Sequence, residues 1–285
     1  TAFNGIANFS NVGISGTFGA TYTLTFSASN LSSANQNLRI APSIAISPIA
    51  TDNVLSAAES ASTQTIAGTT TGVENGQKVT VVLNGKTYSG TVGSDAWTVN
   101  VPSADLLALT DGQSHTVTAD VSDAAGNAAD QTTRTIKVDR TAPTIVINAV
   151  STDDVFNAVE SATDKTISGT TTGVEDNRTV TVSLNDKTYT GSVVANAWSV
   201  SVASADLLSL IDGQTYTVTA NVSDNAGNPA PEATTTLKSD RSAPTAPSTP
   251  DLIASSDTGS SSTDNITSDN TPSFSGTAEA NSTVE

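Results

Sequence analysis

The sequence predicts an all-β protein made of tandem β-sandwich domains arranged as an extended rod. Three observations support this fold class: the chain contains two copies of one domain-sized unit, apolar residues alternate with polar ones inside each copy, and turn residues separate the alternating runs. Threonine, serine, valine and alanine dominate, and only 14% of the residues are charged. This composition favours short strands with hydroxyl-bearing outer faces over helices.

The two copies occupy residues 41–141 and 142–242 and align without an insertion. The offset is 101 residues, which is the difference between positions 97 and 198 of the matching Trp97 and Trp198. Such a period is too long for a solenoid unit and matches a whole small domain. We therefore predict one domain over 41–141 and a close repeat of it over 142–242.

Both ends of the chain depart from this repeat. Residues 243–285 begin a third copy and are predicted to be the truncated N-terminal part of a third domain, while residues 1–40 match neither copy and are predicted to be the C-terminal remnant of a preceding, different domain. No basic and then apolar leader opens the sequence, and no apolar run approaches the roughly 20 residues of a membrane helix. We expect a fragment whose targeting signals lie outside it.

The strand pattern is clearest in the second copy, where apolar residues recur at every second position and so share one face of a strand. The positions predicted to face a common core are Ile145, Ile147, Val180, Val182, Leu184, Tyr189, Val193, Trp198, Val200, Val202, Tyr216, Val218, Ala220 and Val222. Asn84-Gly85 and Asn185-Asp186 lie between two such runs and predict hairpin turns. The runs number about seven per copy, as expected of an immunoglobulin-like sandwich. A short helical turn capped by Ser204 is predicted near one end of the sandwich.

Charge and residue content limit the possible functions. The formal charge is −17, from 28 acidic and 11 basic side chains, so nucleic acid and anionic membranes would repel the chain. We predict no nucleic-acid partner and no direct membrane insertion, and a cation as the natural partner. The absence of cysteine excludes disulfides and thiolate metal sites.

No catalytic arrangement is recognisable. The single histidine, His115, is replaced by Tyr216 in the second copy, so a role in packing is favoured over a role as a catalytic base. Trp97 and Trp198 begin alternating runs, which favours core packing over sugar stacking. We predict that the chain is not an enzyme.

The strand order of such a sandwich determines which loops share an end. The loops at 173–178 and 223–232 are predicted to face the preceding domain. At the joint between the two full copies, the first domain would contribute Asp52, Glu59 and the linker residue Asp139. The second domain would contribute Asp224 and Asn228.

An acidic joint of this kind suits calcium, which binds six to eight oxygen ligands from carboxylates, amides and backbone carbonyls. The alternative is that acidic loops only keep a surface protein soluble. Calcium is favoured because the carboxylates concentrate at one interface and Asp139 lies in the linker itself.

Four sequence elements resemble the bacterial Ig-like (BIg) repeats of giant surface adhesins. These elements are Asp153-Asp154-Val155-Phe156-Asn157-Ala158-Val159-Glu160, Ile167-Ser168-Gly169-Thr170, Ser223-Asp224-Asn225-Ala226-Gly227-Asn228 and Asp240-Arg241-Ser242-Ala243-Pro244. The resemblance covers residues 41–285. It implies a protein exported by type I secretion to the bacterial cell surface, with a role in cell adhesion and biofilm formation, whose domains are held in line by Ca²⁺.

The resemblance also implies that the first acidic group of each long loop, its trailing glutamate and the linker aspartate take part in calcium binding. Together with the residues placed at the joint by strand order, the predicted metal ligands are Asp52, Asn53, Glu59, Asp139, Asp153, Asp154, Glu160, Asp224, Asn228 and Asp240.

Three departures from the repeat pattern bear on these sites. Asn53 stands where the second copy has Asp154, which lowers the charge but keeps an oxygen. Leu38 stands where the later linkers have aspartate, so that joint lacks one predicted ligand. The third copy has a longer acidic segment that contains Asp257, Asp264, Asn265 and Asp269.

The sequence thus predicts a structural stalk segment of a secreted adhesin. Its partners would be the neighbouring Ig-like domains of the same chain, with attachment to a host or abiotic surface made through other parts of the protein, and the chain would be monomeric. The alternative is an adhesive module that itself binds a glycan or a host protein. The near-identity of the two copies favours the stalk.

Overall fold

Each of the two copies forms a β-sandwich from one three-stranded and one five-stranded sheet. The computed structural model describes residues 16, 21–27, 32–280 and 282–285. The predicted all-β class and the tandem sandwiches are confirmed, and strands of alternating burial supply both sheets of each sandwich.

The first sandwich contains eight strands and two short helices. They are β3 (Ser43–Ile46), β4 (Val54–Leu55), α1 (Ala57–Ser60), β5 (Gln64–Thr71), β6 (Lys78–Leu83), β7 (Lys86–Thr91), β8 (Ala96–Val101), α2 (Ser103–Leu107), β9 (Ser114–Asp120) and β10 (Thr132–Val138). The sheet orders are β3-β5-β8 and β4-β10-β9-β6-β7.

The second sandwich repeats this arrangement. Its elements are β11 (Thr144–Ile147), β12 (Val155–Phe156), α3 (Ala158–Ser161), β13 (Lys165–Thr172), β14 (Thr179–Leu184), β15 (Lys187–Ser192), β16 (Ala197–Val202), α4 (Ser204–Leu208), β17 (Thr215–Asn221) and β18 (Ala233–Ser239). The sheet orders are β11-β13-β16 and β12-β18-β17-β14-β15.

Two further pairs of strands flank the sandwiches. An antiparallel pair of β1 (Thr21–Phe26) and β2 (Ala34–Arg39) precedes them, and a pair of two-residue strands, β19 (Asp251–Leu252) and β20 (Phe274–Ser275), follows them. The N-terminal segment predicted to close another domain lies partly outside the described residues.

The eighth strand arises because the first strand of each sandwich is divided. In the first sandwich β3 pairs with β5 in one sheet, and the chain then crosses to the other sheet, where β4 pairs in parallel with β10. The segment between them was expected to be loop. Leu55 in β4 is completely buried, which explains why this short strand crosses over.

The predicted core is confirmed. All the predicted positions of the second copy lie in one apolar cluster, with Ile147, Tyr189 and Tyr216 partly buried against it. Trp97 and Trp198 are 2% and 3% exposed, so they are core residues and not sugar-stacking platforms. The hairpin turns are also confirmed, since Asn84 and Gly85 both have positive φ angles, as a tight turn requires.

One detail of the sequence prediction is wrong. The helical turn α4 exists, but its N-cap is Ala203, which has no side-chain hydrogen bond, and Ser204 is the first helical residue. The backbone N–H of Ser204 is bound instead by the carboxylate Oδ1 of Asp164 at 2.8 Å. A carboxylate from a neighbouring loop therefore replaces the expected serine cap.

A carboxylate also fixes the first helix of this kind, α2, to the sheet. Asp105 in α2 accepts hydrogen bonds from Lys86 and from the Tyr88 hydroxyl, both on β7. Burial and the bond to Asp105 raise the pKa of Tyr88 to about 12. Asp105 is therefore a structural residue of the sandwich, as its counterpart Asp206 is in the second copy.

Each tryptophan requires a glycine opposite it. A Cβ atom at Gly68 would lie 1.9 Å from the backbone oxygen of Ala45 and 2.5 Å from the ring of Trp97. We predict that Gly68→Ala destabilises the first sandwich by about 1–3 kcal/mol, because overpacking displaces the backbone or the indole. Urea denaturation followed by tryptophan fluorescence should show two transitions, since only one of the two sandwiches is weakened.

Gly93→Ala is the matched control, because a Cβ atom there meets no atom within 4 Å. It should change the free energy of unfolding by no more than about 0.5 kcal/mol. Equal effects of the two substitutions would contradict the packing argument.

Candidate functional site: the joint between the two repeats

The linker between the two sandwiches is bonded to the first sandwich. The backbone N–H of Asp139 donates to the oxygen of Leu55 at 2.9 Å, and that of Arg140 donates to the carboxylate Oδ1 of Asp111 at 2.7 Å. The Thr141 hydroxyl donates to the other oxygen of the same carboxylate at 2.9 Å. Three consecutive linker residues are therefore held in place.

The Arg140 side chain completes this attachment, which we call the linker clamp (Asp111, Arg140 and Thr141). Its guanidinium donates to the backbone oxygens of Leu106 at 3.1 Å and Leu109 at 2.7 Å, at the end of α2. These are carbonyls that a helix end leaves without intrahelical partners. Arginine suits the site because its rigid fork reaches two acceptors at once.

The second repeat contains the same clamp. Arg241 donates from its backbone to Asp212 at 2.6 Å and from its guanidinium to Leu208 and Leu210, and the Ser242 hydroxyl donates to Asp212. Sequence analysis noted the repeated Asp-Arg-Thr/Ser-Ala-Pro segment but assigned no role to its arginine. The signal was available, because the arginine and the Asp-Gly turn recur together in both copies.

Asn228 of the second sandwich bonds directly across the joint. Its Oδ1 accepts from the backbone N–H of Ala57, at the start of α1, at 2.8 Å, and its Nδ2 donates to the backbone oxygen of Asp139 at 2.8 Å. The side chain is only 2% exposed and is held by Asp224, which accepts from both its backbone and its amide. One buried amide thus joins the second sandwich to the linker and to the first sandwich.

Acidic side chains from both sides line a cavity of about 350 Å³ beside this bridge. Asp139 comes from the linker, and Glu175 and Asp224 come from the second sandwich. The ammonium of Lys137 lies 2.9 Å from Oδ2 of Asp139. Its pKa is raised, mainly by the hydrogen bond to Asp139, with the charges of Glu175 and Asp224 adding to the effect. The carboxylates of both sandwiches therefore act on one region.

Glu175 was missing from the predicted ligands. Its Oε2 accepts from the backbone N–H of Asn225 at 2.7 Å, which ties together the two loops that face the first sandwich. Its counterpart Glu74 does the same with Ala124 in the first copy. The loop that contains Glu175 was correctly expected at this end, so strand order could have identified it.

Asp52 and Glu59 mainly organise their own loop. Oδ1 of Asp52 accepts from the backbone N–H of Val54 at 2.9 Å. Oε2 of Glu59 accepts from the N–H and hydroxyl of Ser56, and Ser56 in turn caps the helix, so the pair is a capping box around α1. The Ser-x-x-Glu spacing is a sequence signal for this role, and sequence analysis overlooked it.

The corresponding predicted ligands of the second copy have similar roles. Asp153 accepts from Val155, and Glu160 forms a capping box with Asn157 around α3. Asp240 repeats the linker ion pair of Asp139, since Lys238 lies 2.7 Å from its carboxylate.

Asn53 and Asp154 are turn residues with left-handed backbone, at φ values of 66° and 58°. Oδ1 of Asp154 accepts from Val150, while Oδ1 of Asn53 accepts from Ile49 and from the guanidinium of Arg134. Because Arg134 is replaced by threonine at position 235, the residue of each copy at this turn differs together with its partner.

The donor set at the joint fits a hard cation. Oxygen is the only ligand type there, from carboxylates, an amide and backbone carbonyls, and this is the chemistry that calcium prefers. Among the residues that the structure describes, no group of three or more Asp, Glu or His side chains lies close enough together to hold a metal ion. An ion here would complete its coordination with carbonyls and water.

Comparison with known proteins identifies the family. Residues 243–285 match the family of bacterial Ig-like domains. A solved bacterial immunoglobulin-like domain from the ice-binding adhesin of M. primoryensis is 36% identical and is covered over 99% of its length by 35% of this chain, with a TM-score of 0.30. The chain therefore belongs to the bacterial Ig-like family, a family of non-enzymatic repeats, as the sequence predicted.

Two longer solved structures are also similar. A Ca²⁺-stabilised adhesin with which an Antarctic bacterium binds ice is 32% identical over 79% of this chain and 57% of that chain, with a TM-score of 0.49. A second, from a 1.5-MDa bacterial ice-binding adhesin, is 32% identical over 74% of this chain and 70% of that one, with a TM-score of 0.46. The chain thus spans just over half of the first structure.

Two further findings complete the comparison. No protein in the curated set matches the chain. Within the described ranges, no helix has the length and apolar character needed to cross a membrane.

The bridge across the joint can be tested with a matched pair of variants. Asn228→Ala removes two hydrogen bonds between the sandwiches, each contributing about 0.5–1.5 kcal/mol. We expect it to broaden the distance distribution between spin labels on the two sandwiches in calcium-free buffer. The chain has no cysteine, so cysteines placed at the exposed Thr87 and Thr188 would be labelled specifically.

The control is Asn127→Ala, the same position in the first copy. Asn127 makes the same bonds to the aspartate of its own loop, Asp123, without bonding across this joint. It should leave the distribution unchanged, and equal broadening by both variants would show that loop damage, not the bridge, is responsible.

The linker clamp should open in acid. The backbone N–H of Arg140, followed by the Thr141 hydroxyl, lowers the pKa of Asp111. A lowered carboxyl pKa stabilises the folded attachment above the unfolded value of about 3.9, and this stabilisation is lost as the pH falls through the folded value. The amide exchange of Arg140 should therefore accelerate below about pH 4 relative to strand amides.

Asp111→Asn cannot titrate and should abolish this pH dependence at Arg140. An Arg140 amide with the same acid response in the variant and the parent would contradict the assignment.

Proposed function

We propose that the chain is a structural stalk segment of a large bacterial cell-surface adhesin, in which Ca²⁺ at the joints stiffens a row of Ig-like sandwiches. The observation that carries this proposal is the joint between the two copies. The linker is bonded to the first sandwich by the linker clamp, and Asn228 bonds the second sandwich to both the linker and α1. A joint without a free hinge suits a spacer that must hold its length.

The division into repeating units supports the stalk. The first apolar cluster runs from Ile44 to Val138 and the second from Ile145 to Leu237, and the two share no residue. We propose domains at 41–141 and 142–242, each stable through its own core, with further units at 1–40 and 243–285. Such units can be added in series without redesigning a core.

Similarity to adhesins places the chain at the cell surface. Both longer similar structures come from ice-binding adhesins, and one is described as Ca²⁺-stabilised. By this likeness we propose an extracellular location, export by type I secretion and a part in cell adhesion and biofilm formation. The adhesive contact itself would lie in other parts of the protein.

The charge at the joint supports a role for calcium. Asp139, Glu175 and Asp224 line one cavity, and Lys137 is the basic residue paired there. Carboxylates brought together repel one another unless a cation neutralises them. Asp139 and Asp224 belong to opposite sides of the joint, so a bound Ca²⁺ would supply both neutralisation and a cross-link. The loops organised by Asp52 and Glu59 border the same joint through Ala57.

The calcium proposal is tested at Asp139. In saturating calcium, Asp139→Ala should broaden the distance distribution between labels at positions 87 and 188 towards that of the parent in chelator, since the linker carboxylate is lost. Extracellular calcium sites bind at about 10⁻⁴–10⁻³ M, so the parent's distribution should narrow near millimolar ion.

Asp240→Ala is the matched control, because it removes the same kind of lysine ion pair from the following linker. It should leave this distribution as narrow as in the parent. If Asp139→Ala also stays as narrow as the parent, or if matched sodium chloride narrows the parent equally, calcium does not bridge this joint.

A further inference from the structure

The segment after the second sandwich contains a buried carboxylate whose charge the chain does not balance. Strands β19 and β20 pair with each other, and residues 253–273 between them fold back on themselves through hydrogen bonds between short polar side chains. Asp257 lies within this segment and is only 6% exposed.

The two oxygens of the Asp257 carboxylate differ. Oδ2 accepts from the backbone N–H of Asn265 at 3.2 Å. Oδ1 is enclosed and has no hydrogen-bond partner in the part of the chain that the structure describes. Burial of a charged oxygen is unfavourable unless a donor or a cation compensates it.

No basic side chain of this unit can supply that compensation. Residues 243–285 contain no lysine, arginine or histidine, but they contain six acidic residues. These acidic residues are Asp251, Asp257, Asp264, Asp269, Glu279 and Glu285. The nearest basic residues in the sequence, Lys238 and Arg241, are already paired with Asp240 and with the second linker clamp. The missing positive charge must come from outside the chain.

The surroundings of Asp257 are rich in oxygen. Asp264 lies close by, since a Cβ atom on Gly259 would be 3.1 Å from its Oδ1 and 2.9 Å from the backbone oxygen of Ile266. The Thr258 hydroxyl lies 3.2–3.3 Å from the hydroxyls of Thr267 and Ser268. Carboxylates, hydroxyls and carbonyls thus lie within one short stretch.

We propose that this loop binds one Ca²⁺ ion, with Oδ1 of Asp257 as its buried carboxylate ligand and Asp264 as the second acidic contributor. The described residues place no third acidic or histidine side chain in the group, so backbone carbonyls, hydroxyls and water complete the coordination. Calcium tolerates such an irregular oxygen set, whereas Mg²⁺ demands near-ideal octahedral geometry. The ion lies inside one unit and is independent of any ion at the joint between the two copies.

The ion count of the full chain tests this site. Calorimetric titration or equilibrium dialysis with CaCl₂ should give one bound ion fewer for Asp257→Asn than for the parent. Asp251→Asn is the matched control, because it makes the same change at an exposed position of the same unit, and it should bind as many ions as the parent. Equal counts for Asp257→Asn and the parent would overturn the proposal.

A measurement on the unaltered chain guards against misfolding of the variant. In ¹⁵N-labelled parent protein, the amide signal of Asn265, which donates to Asp257, should shift and saturate with CaCl₂ but not with equal concentrations of MgCl₂ or with matched NaCl. An Asn265 amide that CaCl₂ moves no more than MgCl₂ does would refute the site. The shift should persist in Asp139→Ala, so failure of the joint ion and failure of this site are distinguishable.

Discussion

The attachment of the linker to the end of the upstream sandwich is the interaction on which the rest of the arrangement depends. Arg140 occupies the carbonyls at the end of α2 while Asp111 holds the backbone and hydroxyl of the linker. A linker held at consecutive residues leaves the sandwich in a defined direction. Only because Asp139 is placed in this way can its carbonyl meet Asn228, so the bridge across the joint follows from the clamp.

Hydrogen bonds and charge have separate functions at the joint. The Asn228 bridge is neutral and needs no ion, and it sets the orientation of the second sandwich through two directional bonds. The carboxylates beside it act in the opposite sense, because Asp139 approaches Asp224 and Glu175 across the joint with Lys137 as their paired base. A cation there adds stiffness to a geometry that the bridge already specifies. Ion binding and alignment can therefore be separated experimentally.

Sequence analysis predicted the features that depend on local pattern. Alternation identified core positions such as Val218, and Asn84-Gly85 gave the hairpin, because side-chain period and turn conformation are local properties. It missed Arg140 as a clamp and the role of Glu175, because their partners lie about 30 and 50 residues away and depend on how the sheets pack. Glu59 was different: its capping-box spacing was visible, but the expectation of a metal ligand took precedence over it.

The balance of charge changes along the chain, and this links the joint with the later loop. The first copy has 5 basic and 10 acidic residues, the second has 5 and 12, and residues 243–285 have none and 6. In the first copy Arg134 supports the turn at Asn53, whereas in the second Asp154 occupies that turn and threonine replaces the arginine. In the last unit even the buried carboxylate of Asp257 lacks a basic partner among the described residues. Internal cations are progressively replaced by acidic groups, so the later units depend more on ions from their surroundings, and removal of calcium should affect them before it affects the first sandwich.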